Sequence, residues 1–312
     1  MTEVPATAPY GPPLLIANPN AGNDRGSVLR AASAELHALG VDHDVAETTA
    51  AGDASMIARE AVRAGRRFVV AVGGDGTIHE VVNGLVDAES GTPHAPDTVL
   101  GILPGGSGGD LARTFGFDRR PGRAVRHLLG DTVNAFDVGR VRLTGPDGRP
   151  RTVLFANIAE AGYGGTVVRL ASRLPRRLGQ SRYAVATVAA IARFRLVETT
   201  ITLDSSARTE PLSNVVVANG QFFGGGMNVA PRALPWDGRF NVQAWTGTPV
   251  DVLRAGPSLR HGTHTSRADV REWNSTTVAV DGPPLVVEAD GEVLGTTPAT
   301  FDLLPGALRI KL

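Results

Sequence analysis

The chain has 312 residues, no cysteine, and 31 basic against 31 acidic residues. That length suits two domains, or one large domain with insertions. The missing cysteine excludes disulfides, thiolate metal sites and cysteine nucleophiles, and the balanced charge gives no support to a nucleic-acid-binding face. No stretch reads as a signal peptide and no run approaches the roughly 20 apolar residues of a membrane helix, so the chain reads as cytoplasmic, with peripheral membrane contact left open.

Residues 1–13 are rich in Pro and Ala and read as a loose arm. Leu14 to Ala17 form a short apolar strand that ends in the turn Asn18-Pro19-Asn20-Ala21-Gly22. Asn23 or Asp24 then caps a helix with Val28, Leu29, Ala32, Leu36 and Leu39 on one face, and Gly40 stops it. Val41 to Thr48 read as a second strand, followed by a helix from Asp53 to Ala64. Phe68 to Val72 is uniformly apolar, the pattern of a strand covered on both faces of a parallel sheet. Thr77 and Glu80 form a capping-box pair ahead of Ile78, Val81, Val82 and Leu85, which predicts a helix from Thr77. Val99 to Leu103 make another buried strand, and Pro104-Gly-Gly-Ser-Gly-Gly109 leads into a short helix at Asp110. Repeated strand, turn and helix predict a doubly covered parallel sheet with ligands at the strands' C-terminal ends. Both glycine-rich turns, at 73–76 and 105–109, then lie on one edge and can serve one crevice.

After residue 131 strand patterns dominate: 152–158, 199–203, 214–218, 240–245, 276–280, 285–289 and 300–304. Turn signals such as Asp281-Gly282 and Asp290-Gly291 separate several of them, so this half reads as mostly antiparallel β. Residues 166–196 are the exception and read as a helical insertion.

The chemistry concentrates at Gly73-Gly-Asp-Gly-Thr77. A strand-to-helix turn of this composition lets backbone amides and a helix N-terminus point at an anion, and a phosphate suits it. Taken singly, Gly73, Gly74 and Gly76 serve equally as ordinary turn residues. A carboxylate among phosphate-binding amides repels the ligand unless a cation or hydroxyl intervenes, so Asp75 points to a Mg-nucleotide. The basic residues are 30 Arg and one Lys, Lys311 near the end. A Walker-A site and a protein-kinase site each need an internal lysine on the phosphates, so both are excluded.

Gly73-Gly-Asp-Gly-Thr77 followed by Asn83-Gly84-Leu85 resembles the diacylglycerol kinase catalytic superfamily, and the length and layout resemble its stand-alone bacterial lipid kinases. Asn18-Pro19 with Gly22, Thr48 ahead of Gly52-Asp53-Ala54, Phe223-Gly-Gly-Gly-Met227, Ala230-Pro231, Asp237-Gly238 and Asp290-Gly291-Glu292 extend the resemblance along nearly the whole chain. Two departures stand out. The family's Pro-x-Gly-Thr-x-Asn-Asp turn is here Pro104-Gly-Gly-Ser107-Gly-Gly109-Asp110, and Glu160 replaces a small or hydroxyl residue.

The resemblance implies an ATP- and Mg-dependent kinase acting on a lipid hydroxyl, of diacylglycerol or a related lipid. It implies a phosphofructokinase/NAD-kinase-like α/β domain over 12–132, completed by 305–312, and a β-sandwich-like lipid-substrate domain over 133–304. Residue by residue, Gly73, Gly74, Asp75, Gly76 and Thr77 would hold the phosphates with Asn18 and Gly106. Thr48 and Ser107 would add hydroxyl contacts. Asp290 or Glu292 would be the general base, with Asp75 also at the reacting centre. A structural Mg would bind the Asp237 carboxylate and the carbonyls of Leu234 and Arg239. The acceptor lipid and the oligomeric state are not legible.

Other readings stay in play. Asp290 and Glu292 flank one glycine, so an extended segment puts them on one face, while an ordinary Asp-Gly hairpin needs no chemistry. An NAD-kinase-like enzyme with a soluble acceptor shares the first glycine turn. A nucleotide-binding regulatory protein without turnover would keep the fold. Gly105-Gly-Ser-Gly-Gly109 also fits a serine-hydrolase elbow, with His261 or His264 as partner; those histidines read otherwise as loop residues. Arg169, Arg173, Arg176, Arg177 and Arg182, mixed with Leu170, Leu174 and Leu178, either rest on anionic lipid headgroups or form a solvated helix with its apolar side on the protein.

Overall fold

The computed structural model describes residues 9–19, 26–105, 109–179, 181–192, 194–204 and 206–312. They fall into two compact units, Met1–Val138 with Gly224–Gly226 and Leu304–Leu312, and Gly139–Phe223 with Met227–Leu303.

The first unit runs β1 (Leu14–Ala17), α1 (Ser27–Ala38), β2 (Asp44–Glu47), α2 (Asp53–Arg63), β3 (Phe68–Gly73), α3 (Asp75–Leu85), β4 (Val99–Pro104), α4 (Asp110–Thr114) and α5 (Pro121–Ala124). β1 pairs in parallel with β2 and β3, and β3 with β4. Every residue of β1, β3 and β4 is buried, which is why these strands carry no polar alternation. β2 is shorter than the sequence suggests and mostly exposed, as an edge strand is. One face of the sheet packs Leu15, Val70 and Leu103 with Leu29, Ala32 and Leu36 of α1. The capping residues expected at Asn23 or Asp24 lie outside the described residues.

β5 (Val133–Thr144) passes from the first unit into the second, which continues through β6 (Pro150–Phe155), β7 (Ile158–Gly162), α6 (Tyr163–Ser172), α7 (Ser181–Ile191), β8 (Val197–Leu203), β9 (Ser206–Leu212) and β10 (Asn214–Ala218). It goes on with β11 (Phe222–Phe223), β12 (Met227–Asn228), β13 (Phe240–Trp245), α8 (Pro249–Arg254), α9 (Gly256–His261), β14 (Val270–Ser275), β15 (Thr277–Asp281), β16 (Val286–Ala289) and β17 (Glu292–Lys311). One path of antiparallel neighbours runs β14, β13, β10, β7, β16 and β17. β8 pairs with β9 and β15, and β15 with β17. Phe155, Phe240 and Phe301 meet in the core of this unit. Residues 152–158, expected as one strand, are two: β6 ends at Phe155 and β7 begins at Ile158. The amides between them are recruited by Asp290, as described below. β17 is one long strand whose stretch from Leu304 belongs to the first unit, where Arg309 and Ile310 pair in parallel with Val99 and Leu100 of β4. Among the described residues no helix is long and apolar enough to cross a membrane.

Candidate active site

In the first unit the C-terminal ends of β3 and β4 are locked together. Gly73 pairs with Pro104, and the Gly105 amide donates to the Gly73 carbonyl at 2.8 Å. A Cβ on Gly73 would stand 2.6 Å from Thr77 Oγ1, a clash, and one on Gly105 would stand 3.2 Å from Gly73 Cα, a tight contact, so glycine eases both crossings. The helix begins at Asp75, not at Thr77 as the capping-box pattern suggested. Gly74 is the cap, and its carbonyl accepts from the amides of Thr77 and Ile78. Glu80 is not a capping partner either: it reaches across to α2, where Oε2 accepts from the Ala54 amide at 3.1 Å. α2 and α3 approach closely because Gly84 has no side chain; a Cβ there would lie 2.3 Å from the Ser55 carbonyl oxygen.

Where α3 starts, a cavity of about 170 Å³ opens, lined by Asn18, Thr48, Ala54, Gly74, Gly76, Thr77 and Glu80. Nothing stands within 4 Å of a Cβ built on Gly76, so that backbone faces open space. With the Thr77 and Ile78 amides turned back to Gly74, the Asp75 and Gly76 amides are left at the positive end of the helix dipole, and the buried Thr48 and Thr77 add hydroxyls. The cavity therefore suits an anion with several oxygen acceptors. The sequence reading named Asn18, Thr48, Gly74, Gly76 and Thr77 here; it missed Ala54 and Glu80. Glu80 was hidden because its spacing from Thr77 fitted a local motif.

Asp75 lies on the same turn but its carboxylate is occupied. It accepts from the amides of Gly109, Asp110 and Leu111 at 3.0, 3.2 and 3.1 Å, capping α4 from across the crevice. The sequence led to a cation or hydroxyl between Asp75 and a phosphate; the structure instead turns the carboxylate onto a second helix. Gly106 and Ser107 lie outside the described residues. Asp110, buried, accepts from the Gly225 amide at 2.8 Å, and burial is the main reason its carboxyl is pushed upward. Gly224, Gly225 and Gly226 all have positive φ, and a Cβ on Gly226 would collide with the Arg113 guanidinium, which accounts for three consecutive glycines.

The second unit holds the remaining carboxylates. Asp290 and Gly291 are the two residues of a hairpin between β16 and β17, both with positive φ. The Asp290 carboxylate accepts from the amides of Ala156, Asn157 and Ile158 at 2.8, 2.9 and 3.3 Å. Asp290 is buried and Glu292 exposed, so they do not share a face in an extended segment as expected. Glu160 on β7 stands opposite Glu288 on β16, and both are buried. Glu160 accepts from Asn214 Nδ2 at 3.2 Å, and Glu288 from the Gly291 amide at 2.9 Å. Burial pushes the Glu160 carboxyl up to about 7 and raises Glu288 well above the carboxylate range, with repulsion from Glu160 adding to it. Gly164 makes room for Glu160, since a Cβ there would lie 1.5 Å from Glu160 Oε2. Glu288 was missed; the signal was a charged residue inside an otherwise apolar strand.

Asp237 lies in an exposed turn where its Oδ1 accepts from the Arg239 amide at 3.0 Å and the Leu234 carbonyl accepts from the amides of Trp236 and Asp237. Oxygen ligands are what a hard cation such as Mg takes, and Asp237 is the one carboxylate of the expected set, whose Leu234 carbonyl already accepts from two amides. No group of three or more His, Cys, Asp or Glu placed to hold a metal ion occurs among the described residues. His264 is not a loop residue: it is fully buried, stacks on Trp245 and shares its Nε2 with the Val229 carbonyl and Gln243.

A family described as the diacylglycerol kinase catalytic domain matches residues 12–141, and one described as the YegS C-terminal NAD kinase beta sandwich-like domain matches residues 157–312. A Pseudomonas aeruginosa protein named "Probable lipid kinase YegS-like" is 30% identical over 301 residues, covering 96% of this chain and 93% of its own. The chain belongs to the YegS-like, diacylglycerol-kinase-type lipid kinases. Within this lipid kinase family, a diacylglycerol kinase of Mycobacterium tuberculosis is 29% identical over 303 residues, 95% of this chain and 93% of its own. A crystal structure of a diacylglycerol kinase from Bacillus anthracis superposes with a TM-score of 0.71 at 23% identity, covering 96% of each chain, and shows the same fold. For a lipid kinase the two-part arrangement is the family's: an α/β half with the glycine turns and a β-sandwich-like half. The family implies ATP as phosphoryl donor and a divalent metal.

Proposed function

We propose that this lipid kinase transfers the γ-phosphoryl group of ATP to a lipid hydroxyl, of diacylglycerol or a related lipid, at a membrane surface. The observation that carries it is the cavity at the start of α3, where glycine backbone, Asn18 and two buried threonine hydroxyls line one opening. Those groups hold a polyphosphate without a lysine, which fits a chain whose one Lys, Lys311, is buried and bonded to the Thr132 and Leu312 main-chain oxygens. Asp75 acts from behind the turn: by capping α4 it keeps both glycine turns in register for the donor.

In the transfer the bond from the β,γ-bridging oxygen to the γ-phosphorus breaks, the lipid oxygen takes its place, and the hydroxyl proton goes to a carboxylate. The Asp290-Gly291-Glu292 turn supplies that carboxylate. When bound, Mg neutralises charge on the phosphates, and Asp237 with the Leu234 and Arg239 carbonyls is the set in the second unit that would hold a structural ion.

The test is transfer of labelled phosphate from ATP to a panel of lipids in mixed micelles, with and without Mg, for the wild type, Thr77→Val, Asp290→Asn and Glu292→Gln. Label in one lipid, lost in Thr77→Val and in one carboxylate variant, supports the reading and identifies the base. No label in any lipid from protein that binds ATP overturns it.

A further inference from the structure

Between Glu160 and Glu198 the chain has seven arginines and no Asp, Glu or Lys. In the second unit this stretch forms α6, a short 3₁₀ turn at Arg176–Leu178, and α7. Arg169, Arg173, Arg177 and Arg195 are exposed, and none has a carboxylate partner among the described residues. The same stretch gathers exposed apolar side chains. Of the eleven exposed large hydrophobic residues among the described residues, Leu178, Tyr183, Val185, Val188 and Leu196 lie in it, and α8, which packs on α7, adds Val250 and Leu253. α7 buries Ala186 and Ala190 on one face and presents Val185, 52% exposed, and Val188, 65% exposed, on another. The apolar side of this helix is thus not spent on the protein.

Single exposed valines need no explanation. A concentration of them beside arginines without carboxylate partners does, because a cluster of exposed apolar side chains marks an interaction surface and a one-signed cationic field attracts anionic partners. We propose that α7 and the arginines preceding it form the face that docks on an anionic lipid bilayer, with the valines entering the acyl boundary and the guanidinium groups meeting headgroup phosphates. This deepens, and rests on, the reading as a kinase of membrane lipids. Charge selects the occupant: a second copy would bring arginine against arginine, whereas an anionic bilayer offers both the opposite charge and an apolar layer beneath it. Arginine suits this role because its planar fork pairs two phosphate oxygens at once.

The experiment is cosedimentation with vesicles of phosphatidylcholine, with and without phosphatidylglycerol. It compares the wild type, Arg169→Gln/Arg173→Gln/Arg177→Gln, Val185→Ser/Val188→Ser, and a control, Arg63→Gln/Arg126→Gln/Arg149→Gln, with the same charge change elsewhere. The expected result is binding to phosphatidylglycerol vesicles only, weakened about fivefold per arginine removed from the face, weakened also by the double serine variant, and little changed in the control. Equal loss in the control, or no loss in the face variants, overturns the proposal. Turnover in uncharged mixed micelles separates the two readings. Label transfer there with vesicle binding indifferent to the face variants sinks the docking face alone, whereas no label in any variant sinks the kinase reading. Micelle turnover with binding to neither vesicle assigns the face to an acidic protein partner and also overturns the proposal.

Discussion

Asp290 and Glu292 stand on one hairpin but do different work. Asp290 joins three main-chain amides, so Asp290→Asn replaces a full acceptor by a half-donor against those amides. We expect Asp290→Asn to lower stability by about 2 kcal/mol as well as activity. Glu292 is exposed, so Glu292→Gln should leave the melting temperature unchanged within error and act on turnover alone. Thermal denaturation alongside kcat for both variants checks this. Equal melting temperatures for the two would show that the Asp290 amide contacts contribute nothing. The Asp-Gly-Glu pattern made these residues visible in the sequence, but it could not show that the aspartate reaches back some 130 positions to cap the break between β6 and β7.

Two contacts between elements hold the surroundings of the cavity at the start of α3. α2 and α3 touch where Gly84 meets the Ser55 carbonyl, and both line the cavity, through Ala54 and through Gly76, Thr77 and Glu80. Gly84→Val inserts bulk against backbone that cannot rotate away, which should cost about 1–3 kcal/mol and raise the KM for ATP more than it lowers kcat. Calorimetry and steady-state kinetics read the two effects. An unchanged KM would mean that the helix spacing does not set the cavity. α4 depends on Asp75 in the same way. Asp75→Ala leaves three amides without their acceptor, and we expect a loss of about 1–2 kcal/mol together with weaker ATP binding by isothermal titration. Wild-type ATP affinity in Asp75→Ala would refute a positioning role. The strands and helices of this half were legible because fully buried parallel strands have a distinct composition. The Thr77 helix start was misread because local capping statistics cannot see Gly74 or the partner helix.

At the scale of the whole molecule, two buried groups, one in each unit, pull stability in opposite directions as pH changes. In the first unit His127 is buried against Phe117, and burial first, then Lys311, lowers its imidazole to about 4. The unfolded chain therefore binds more protons than the folded one, and this unit loses stability as pH falls from 6.5 towards about 4. In the second unit Glu160 is raised from 4.5 to about 7, so the folded state holds the extra proton and stability is lost as pH rises through that window. Hydrogen exchange should show the surroundings of His127 loosening as pH falls from 6.5 towards about 4, and those of Glu160 loosening as pH rises from 4.5 towards about 7. Glu160→Gln should flatten the second response and leave the first intact. A response around Glu160 that persists in that variant would remove the Glu160–Glu288 pair as its cause.

What the sequence determined alone is local. Apolar runs set the strands of both halves, and glycine placement marked the turns where backbone crosses backbone. The order of short motifs carried the family, because each is a contiguous piece whose chemistry does not depend on distant neighbours. Tertiary structure decided what depends on pairing across the chain. It gave the Asp75 carboxylate to α4 rather than to a ligand, set Glu160 opposite Glu288, and carried the end of β17 to β4. It also left the valines of α7 outside the core. Each of these follows from hydrogen bonds or burial between residues far apart in sequence, and no periodicity within one segment encodes its partner.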